Sequence, residues 1–273
     1  MNYRHAFHAG NFADVHKHVV LLELLEHLHK KSSPFYVLDT HAGRGSYDLR
    51  SEAALRSGEW RQGIGRLRAI ESLPSNLRAF LALNADAHEY HGSPYLIAAM
   101  LRENDRATFV EQHPEEAAAL RNTLGKRRHV SVLAEDGYAA LKAHLPPKEN
   151  RGLVLIDPPY ESATEFADVA RALHTAHERW SNGIYCAWYP LKPGGAEERL
   201  HRMLVGTGIK KTLLCEFSIR PVDSPLGLNG SGLIIINPPW QLDEQLRTIL
   251  PQLNSMLAPE RNGNVRIEWL TPE

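Results

Sequence analysis

The sequence predicts a doubly wound α/β fold: a mostly parallel, seven-stranded sheet with helices on both faces and an antiparallel last strand. Three observations carry that expectation. Short runs that are apolar at nearly every position recur along the chain, as strands covered on both faces require. They alternate with helical stretches, the rhythm of a layered α/β domain. Glycines and acidic residues stand where the runs end, at the edge where such sheets bind ligands.

In chain order the strands are Tyr36 to Asp39, Thr108 to Glu111, Val130 to Ala134, Leu153 to Asp157, Ile184 to Tyr189, Thr212 to Ile219 and Gly232 to Asn237. The connection from Asp39 to Thr108 is longer than the roughly 30 residues of a strand-helix-strand unit, so something is inserted. Within Ser51 to His91, the residues Trp60, Ile64, Leu67, Ile70, Leu77, Phe80 and Leu81 recur at helical spacing. That pattern predicts a small helical subdomain over about 51–91, overhanging the ligand-binding edge and shaping access to it.

Composition narrows the function class. The longest apolar runs fall far short of the roughly 20 residues needed to span a bilayer. The start of the chain, Met1-Asn2-Tyr3-Arg4-His5, has no apolar signal core, so a cytoplasmic location is expected. With 31 basic against 32 acidic residues, overall charge declares no polyanion partner. Nucleic-acid binding would rest on local patches; Lys126-Arg127-Arg128-His129 and Lys210-Lys211 are basic but short, and suit solvated surface more than phosphate sites. The two cysteines, Cys186 and Cys215, fall in strands without metal-ligand spacing and read as buried free thiols.

The chemistry-bearing residues collect at strand ends. After the first strand, Asp39-Thr40-His41-Ala42-Gly43-Arg44-Gly45 offers glycines for a tight turn and close backbone approach to a ligand, though such a loop alone is equally a simple turn. The second strand ends in Glu111, an acceptor for ribose hydroxyls, and the third leads to Asp136-Gly137 at the same edge. The fourth ends in Asp157-Pro158-Pro159-Tyr160. An aromatic amine is a poor nucleophile because its lone pair is delocalised into the ring. A carboxylate and a backbone carbonyl that accept its two N–H bonds localise the pair and aim it at an electrophilic methyl group. Consecutive prolines fix φ and remove donors, leaving carbonyls as acceptors in a rigid turn, and Tyr160 can stack on a base. The plain alternative is a helix cap after a strand terminator.

A second tetrapeptide, Asn237-Pro238-Pro239-Trp240, is a rival, but an antiparallel last strand would put it at the opposite edge as a structural turn. The histidines from His5 to His18 lack the spacing of a metal site, and His18 with Lys17 fits the lining of a cofactor pocket. In Gly92-Ser93-Pro94, Ser93 reads as an N-cap with Pro94 opening a helix over Tyr95 to Leu101; the same amides and hydroxyl could hold a carboxylate.

Together these residues resemble one family, the bacterial 23S ribosomal RNA adenine-N6 methyltransferases called RlmJ. The resemblance runs from Tyr3-Arg4-His5 and Phe7-His8-Ala9-Gly10-Asn11 through Leu38-Asp39-Thr40-His41-Ala42-Gly43, Gly92-Ser93-Pro94 and Asp157-Pro158-Pro159-Tyr160. It continues to Trp188-Tyr189-Pro190 and Ile236-Asn237-Pro238-Pro239-Trp240. It implies a Rossmann-like class I methyltransferase fold in one domain over 1–273, with S-adenosylmethionine as donor, S-adenosylhomocysteine as product and no metal. His18, His41, Ser93, Glu111, Asp136 and Gly137 would contact the cofactor, beside Lys17 and Gly43. Asp157 would be catalytic, with Tyr3, Pro158 and Tyr160 on the substrate side. The implied partner is 23S rRNA, free or in an early assembly intermediate, acted on by a monomer. Rivals are a DNA adenine or glutamine amide methyltransferase, or an idle RNA-binding protein that kept the fold.

Overall fold

A computed structural model describes residues 4–225, 227–258 and 262–272. Helix α1 (Phe12–His29) begins at Asn11, whose side-chain oxygen accepts from the amides of Ala13 and Asp14. Such a cap satisfies two of the orphan donors at a helix start. Val15, Val20, Leu21, Leu24 and Leu25 are fully buried, and so, against their nature, are His16, Lys17 and His18. Its first three turns, residues 12–22, are buried on every side, as a core helix is, and α1 lies against the sheet through residues from its N-terminal turn to Leu28.

The chain continues through β1 (Tyr36–Asp39), β2 (Ser46–Asp48), α2 (Glu52–Ser57), α3 (Ile64–Arg68), α4 (Ser75–Leu83), β3 (Glu89–His91) and α5 (Ser93–Met100). Next come β4 (Arg106–Val110), α6 (Pro114–Leu124), β5 (Val130–Leu133), α7 (Gly137–His144), β6 (Gly152–Ile156) and α8 (Glu165–Arg179). The last elements are β7 (Ile184–Leu191), α9 (Glu197–Gly206), β8 (Thr212–Ser218), β9 (Gly230–Ile236), α10 (Leu242–Leu257) and β10 (Asn264–Thr271). The main sheet runs β10-β8-β9-β7-β6-β1-β4-β5. Strands β5, β4, β1, β6 and β7 are parallel, whereas β9 is antiparallel to both β7 and β8, and β10 to β8. Alternate residues feed two cores: Val37, Leu153 and Leu155 face α1 and α10, while Leu38, Val154 and Ile156 face α7, α8 and α9. Among the described residues no helix is long and apolar enough to cross a membrane.

The expected doubly wound class holds, with eight strands in place of seven. The extra strand, β10, escapes sequence reading because it is an edge strand that alternates Val265, Ile267 and Trp269 with Arg266 and Glu268, without a continuous apolar run. Strands β2 and β3 also went unpredicted, being three residues each. They pair antiparallel, Tyr47 opposite Tyr90, and bracket the helices α2, α3 and α4. Helix α5 starts one residue earlier than expected, at Ser93 rather than Pro94. Gly92 is its cap, and the Ser93 hydroxyl donates to Asp39 at 2.7 Å instead of capping. Asn237 sits at the far edge, as antiparallel β9 requires, donating to the carbonyls of Ser181 and Gly183.

The segment between β2 and β3 is stapled to the start of the chain and to the end of α10. Ile64 N donates to the Gly10 carbonyl, Asn11 Nδ2 to Glu59, and Arg66 to the Leu257 carbonyl. Closest approach falls at Gly63, where an added Cβ would lie 2.1 Å from the Gly10 oxygen. Gly63→Ala is therefore expected to cost about 1–3 kcal/mol, the usual penalty of overpacking. Urea unfolding checks this, and an unchanged midpoint would show that the two segments do not dock this way.

Candidate active site

The acid-proline-proline turn leaves β6 at the carboxyl edge of the parallel strands. Its backbone turns sharply, for Tyr160 has φ +52°, a left-handed conformation that costs a non-glycine residue about 1 kcal/mol or more. What holds it there is tertiary: the Tyr160 hydroxyl donates to the Trp188 carbonyl on β7 at 2.8 Å, and its ring meets Trp188 edge-on, centroids 5.6 Å apart. Asp157 is mostly buried, its side chain 15% exposed.

Asp157 has a partner that the sequence did not announce. Lys17 on α1 places its ammonium 2.5 Å from Asp157 Oδ2 and 2.8 Å from Asp14 Oδ1. Asp14 Oδ2 in turn accepts from the Gly10 amide and faces His5 Nε2 at 2.9 Å. Burial opposes charge on Lys17 and Asp14. For Lys17 the two carboxylates outweigh it and hold the ammonium charged, its pKa raised above the usual lysine range. For Asp14 burial is again the largest single effect, but His5 and Lys17 overcome it and keep the carboxyl well below its usual range. Asp157 Oδ1 has no donor among the described residues, so one face of that carboxylate stays open.

A second lobe lies at the ends of β1 and β4. Glu111 follows β4, and its two oxygens accept from the amides of Gly43 at 2.9 Å and His113 at 2.8 Å. With about four lone-pair positions, a carboxylate so oriented can still accept from hydroxyls. Gly43 has φ +63°, and a Cβ there would lie 2.4 Å from the Tyr47 hydroxyl, so glycine is required. His41 and His18 are neutral: burial draws their pKa down to about 4 and about 3. His41 Nδ1 pairs with the Thr40 hydroxyl, His18 Nδ1 with the Tyr90 hydroxyl at 2.6 Å.

An open cleft of about 1330 Å³ joins the two lobes, and Lys17, His18, His41, Gly43, Ser93, Glu111, Asp157, Pro158 and Tyr160 all line it. Asp136 and Gly137 do not. Asp136 caps α7 through the Ala139 amide, and Gly137 packs behind the loop, where a Cβ would lie 2.2 Å from the Thr40 oxygen. Tyr3 lies outside the described residues. Sequence reasoning missed Asp14, Asp39 and Trp188. The i, i+3 spacing of Asp14 and Lys17 on a helix was the available signal for the first.

Each lobe asks for a different molecule. One presents neutral imidazoles, a tight glycine turn and an acid suited to a ribose, and the other presents a rigid acceptor turn suited to a planar amine. Such a division defines an S-adenosylmethionine-dependent methyltransferase. The chain belongs to the RlmJ family: residues 32–271 match the family model described as "Ribosomal RNA large subunit methyltransferase D, RlmJ". It is 42% identical to the ribosomal RNA large subunit methyltransferase J of Haemophilus influenzae, and 40% identical to that of Escherichia coli K12, over all of each chain. A crystal structure of a Legionella pneumophila protein superposes with a TM-score of 0.87 at 35% identity, covering 96% of this chain and 98% of that one. A probable spermidine synthase of Corynebacterium glutamicum shares the fold alone, with a TM-score of 0.54 at 10% identity, covering 94% of this chain and 75% of that one.

Two outcomes are expected. Lys17→Met leaves two carboxylates buried without their cation and should destabilise the fold by about 3–5 kcal/mol near neutral pH, measured by denaturant unfolding; a loss below about 1 kcal/mol would contradict the buried triad. Burial also pushes the Asp39 carboxyl up to about 7, whereas in the unfolded chain it ionises near pH ~4. Between those values the folded chain keeps a proton that the unfolded chain has lost, so this group's contribution to stability falls as pH rises. Asp39→Asn should therefore gain stability relative to the parent as pH rises from about 4 to 7, and a constant difference would contradict the shift.

Proposed function

We infer that this chain transfers a methyl group from S-adenosylmethionine to the exocyclic N6 of an adenine in 23S rRNA, yielding N6-methyladenosine and S-adenosylhomocysteine. The observation that carries the reading is the Asp157 turn, rigid and facing the cleft with one carboxylate oxygen open, in a chain of the RlmJ family.

The residues on the first lobe fit the cofactor. Glu111 keeps acceptor capacity toward a ribose, Gly43 admits close approach, and His18, His41 and Ser93 line the same space. Asp136 and Gly137 support this lobe from behind His41, Asp136 through its charge. S-adenosylmethionine supplies an electrophilic methyl group there. On the other lobe, Asp157 Oδ1 accepts one N6–H and the Pro158 carbonyl the other, which concentrates the nitrogen lone pair toward the methyl group. Lys17 fixes the orientation of Asp157 by donating to Oδ2, which leaves Oδ1 facing the cleft as the acceptor. Tyr160 and Trp188 offer aromatic faces beside the base. An adenine must leave its helix to reach this turn, so target RNA has to be unpaired or flipped.

RNA free of ribosomal proteins, or in an early assembly intermediate, meets that demand most simply, and we place a monomer on it in the bacterial cytoplasm, where such RNA is made. Residues 51–91 form a subdomain of the single domain 1–273 that shapes entry, since Arg56, Ser57, Glu59 and Gln62 line the cleft.

Asp157→Ala should reduce methyl transfer to 23S rRNA by at least about 1000-fold while cofactor affinity, read by calorimetry, changes little. Turnover that survives the substitution would remove Asp157 from the chemistry. Glu111→Gln should weaken cofactor binding by about 10-fold, one hydrogen bond to a charged acceptor; unaltered affinity would move the ribose elsewhere. Label from S-adenosylmethionine appearing in duplex DNA or in a glutamine peptide, and not in 23S rRNA, would overturn the substrate.

A further inference from the structure

The end of the sheet farthest from Asp157 carries a surface that the reaction does not use. Five non-glycine residues have positive φ among the described residues, and three of them, Lys211 (+53°), Asn237 (+53°) and Gln241 (+62°), meet here. Each costs about 1 kcal/mol or more, and surrounding hydrogen bonds hold them in place. Asn237 N donates to the Lys211 carbonyl at 2.9 Å, Asn237 Nδ2 to two carbonyls before β7, and Leu242 N to the Pro239 carbonyl. Two prolines stiffen the rest of the turn.

What this rigid turn displays is Trp240, 84% exposed. Indoles are seldom left so bare on an ordered element, since burial of the ring is favourable. A second tryptophan, Trp269 on β10, is 40% exposed, and between the two runs the start of β8. Lys211 N donates to the Pro272 carbonyl beside β10, while the Lys211 carbonyl accepts from Asn237 after β9. Thr212 accordingly pairs with Thr271 on one side and Ile236 on the other. The exposed Lys210-Lys211 pair thus stands between two exposed aromatic rings. The rim is polar, with Ser181, Asn182 and Gln241 exposed.

We propose that this end of the sheet is a second RNA-docking surface, at which single-stranded bases stack on Trp240 and Trp269 and their phosphates lie on Lys210 and Lys211. Aromatic rings interleaved with cations are how sequence-tolerant single-strand binding is built. Two lysines set between the rings favour a polyanion over a protein partner, because lysine is depleted from protein interfaces. β9 spans seven residues, so the surface lies roughly 20 Å or more from the methyl-transfer edge. It therefore engages rRNA outside the target nucleotide, and in that it rests on the proposed rRNA substrate.

The test compares the parent with Trp240→Ala, Trp240→Phe and the double change Lys210→Ala with Lys211→Ala, measuring methylation of 23S rRNA and binding of a single-stranded RNA 12-mer by tryptophan fluorescence. Trp240→Ala should raise KM for 23S rRNA about 5- to 150-fold, the range of one lost stacking contact, with kcat unchanged. Phe should restore most of the loss. The lysine changes should lower the salt dependence of 12-mer affinity by about 1.4 in slope. An unchanged KM, including one accompanied by lost capture of a ribosomal protein, overturns the proposal, as does a fall in kcat. A parent that methylates no 23S rRNA yet shows 12-mer quenching that Trp240→Ala abolishes would refute the substrate and leave this surface standing.

Discussion

One buried cation organises the candidate active site. The Lys17 ammonium, with a side chain 5% exposed, joins Asp14 on its own helix to Asp157 at the end of β6. Removing charges from water is expensive, and attraction between them repays the cost only when geometry and further hydrogen bonds are good. Here they are: Asp14 also receives the Gly10 amide and meets His5, so the triad ties the start of the chain, α1 and the Asp157 turn to one another. A hydrophobic trio would hold the fold as well, but it would give no fixed carboxylate. The charged solution sets the orientation of Asp157 before any substrate arrives, and preorganisation of that kind is the main thing a protein can add when the cofactor brings the electrophile.

The same helix anchors the aromatic wall. His16, next to Lys17, is wholly buried and neutral, burial drawing its pKa down to about 3. Its Nδ1 meets the Ser231 hydroxyl of β9 at 2.9 Å, and the Trp188 indole donates to that same oxygen at 2.9 Å. Trp188 then accepts from Tyr160 through its carbonyl. Helix α1, β9, β7 and the turn after β6 are thereby joined by buried and part-buried side-chain hydrogen bonds, where each is worth more than at the surface and an unpaired member would be costly. This explains why so apolar a helix carries consecutive polar residues at 14 and 16–18: they face the sheet and cleft, and every one of them is satisfied.

The sequence by itself determined the class of fold and the sheet edge at which the cleft lies. Seven strands were legible because central strands are apolar on both faces, and Asp157, Glu111 and Gly43 were legible because they follow those strands directly in the chain. The Asn237 turn could be set aside from topology alone, since a strand entering antiparallel must end at the opposite edge. Only the tertiary structure decided which polar residues cooperate. Lys17 and Asp157 are 140 residues apart, His16 and Ser231 are 215 apart, and Asp39 and Ser93 are 54 apart. Local pattern carries backbone periodicity and turn chemistry, which depend on near neighbours. The pairing of buried charges depends on which distant segments packing brings to the same dry space, and no spacing along the chain encodes that. The same reason hid β10 and the short β2 and β3 strands: their stability comes from partners across the sheet rather than from their own residues.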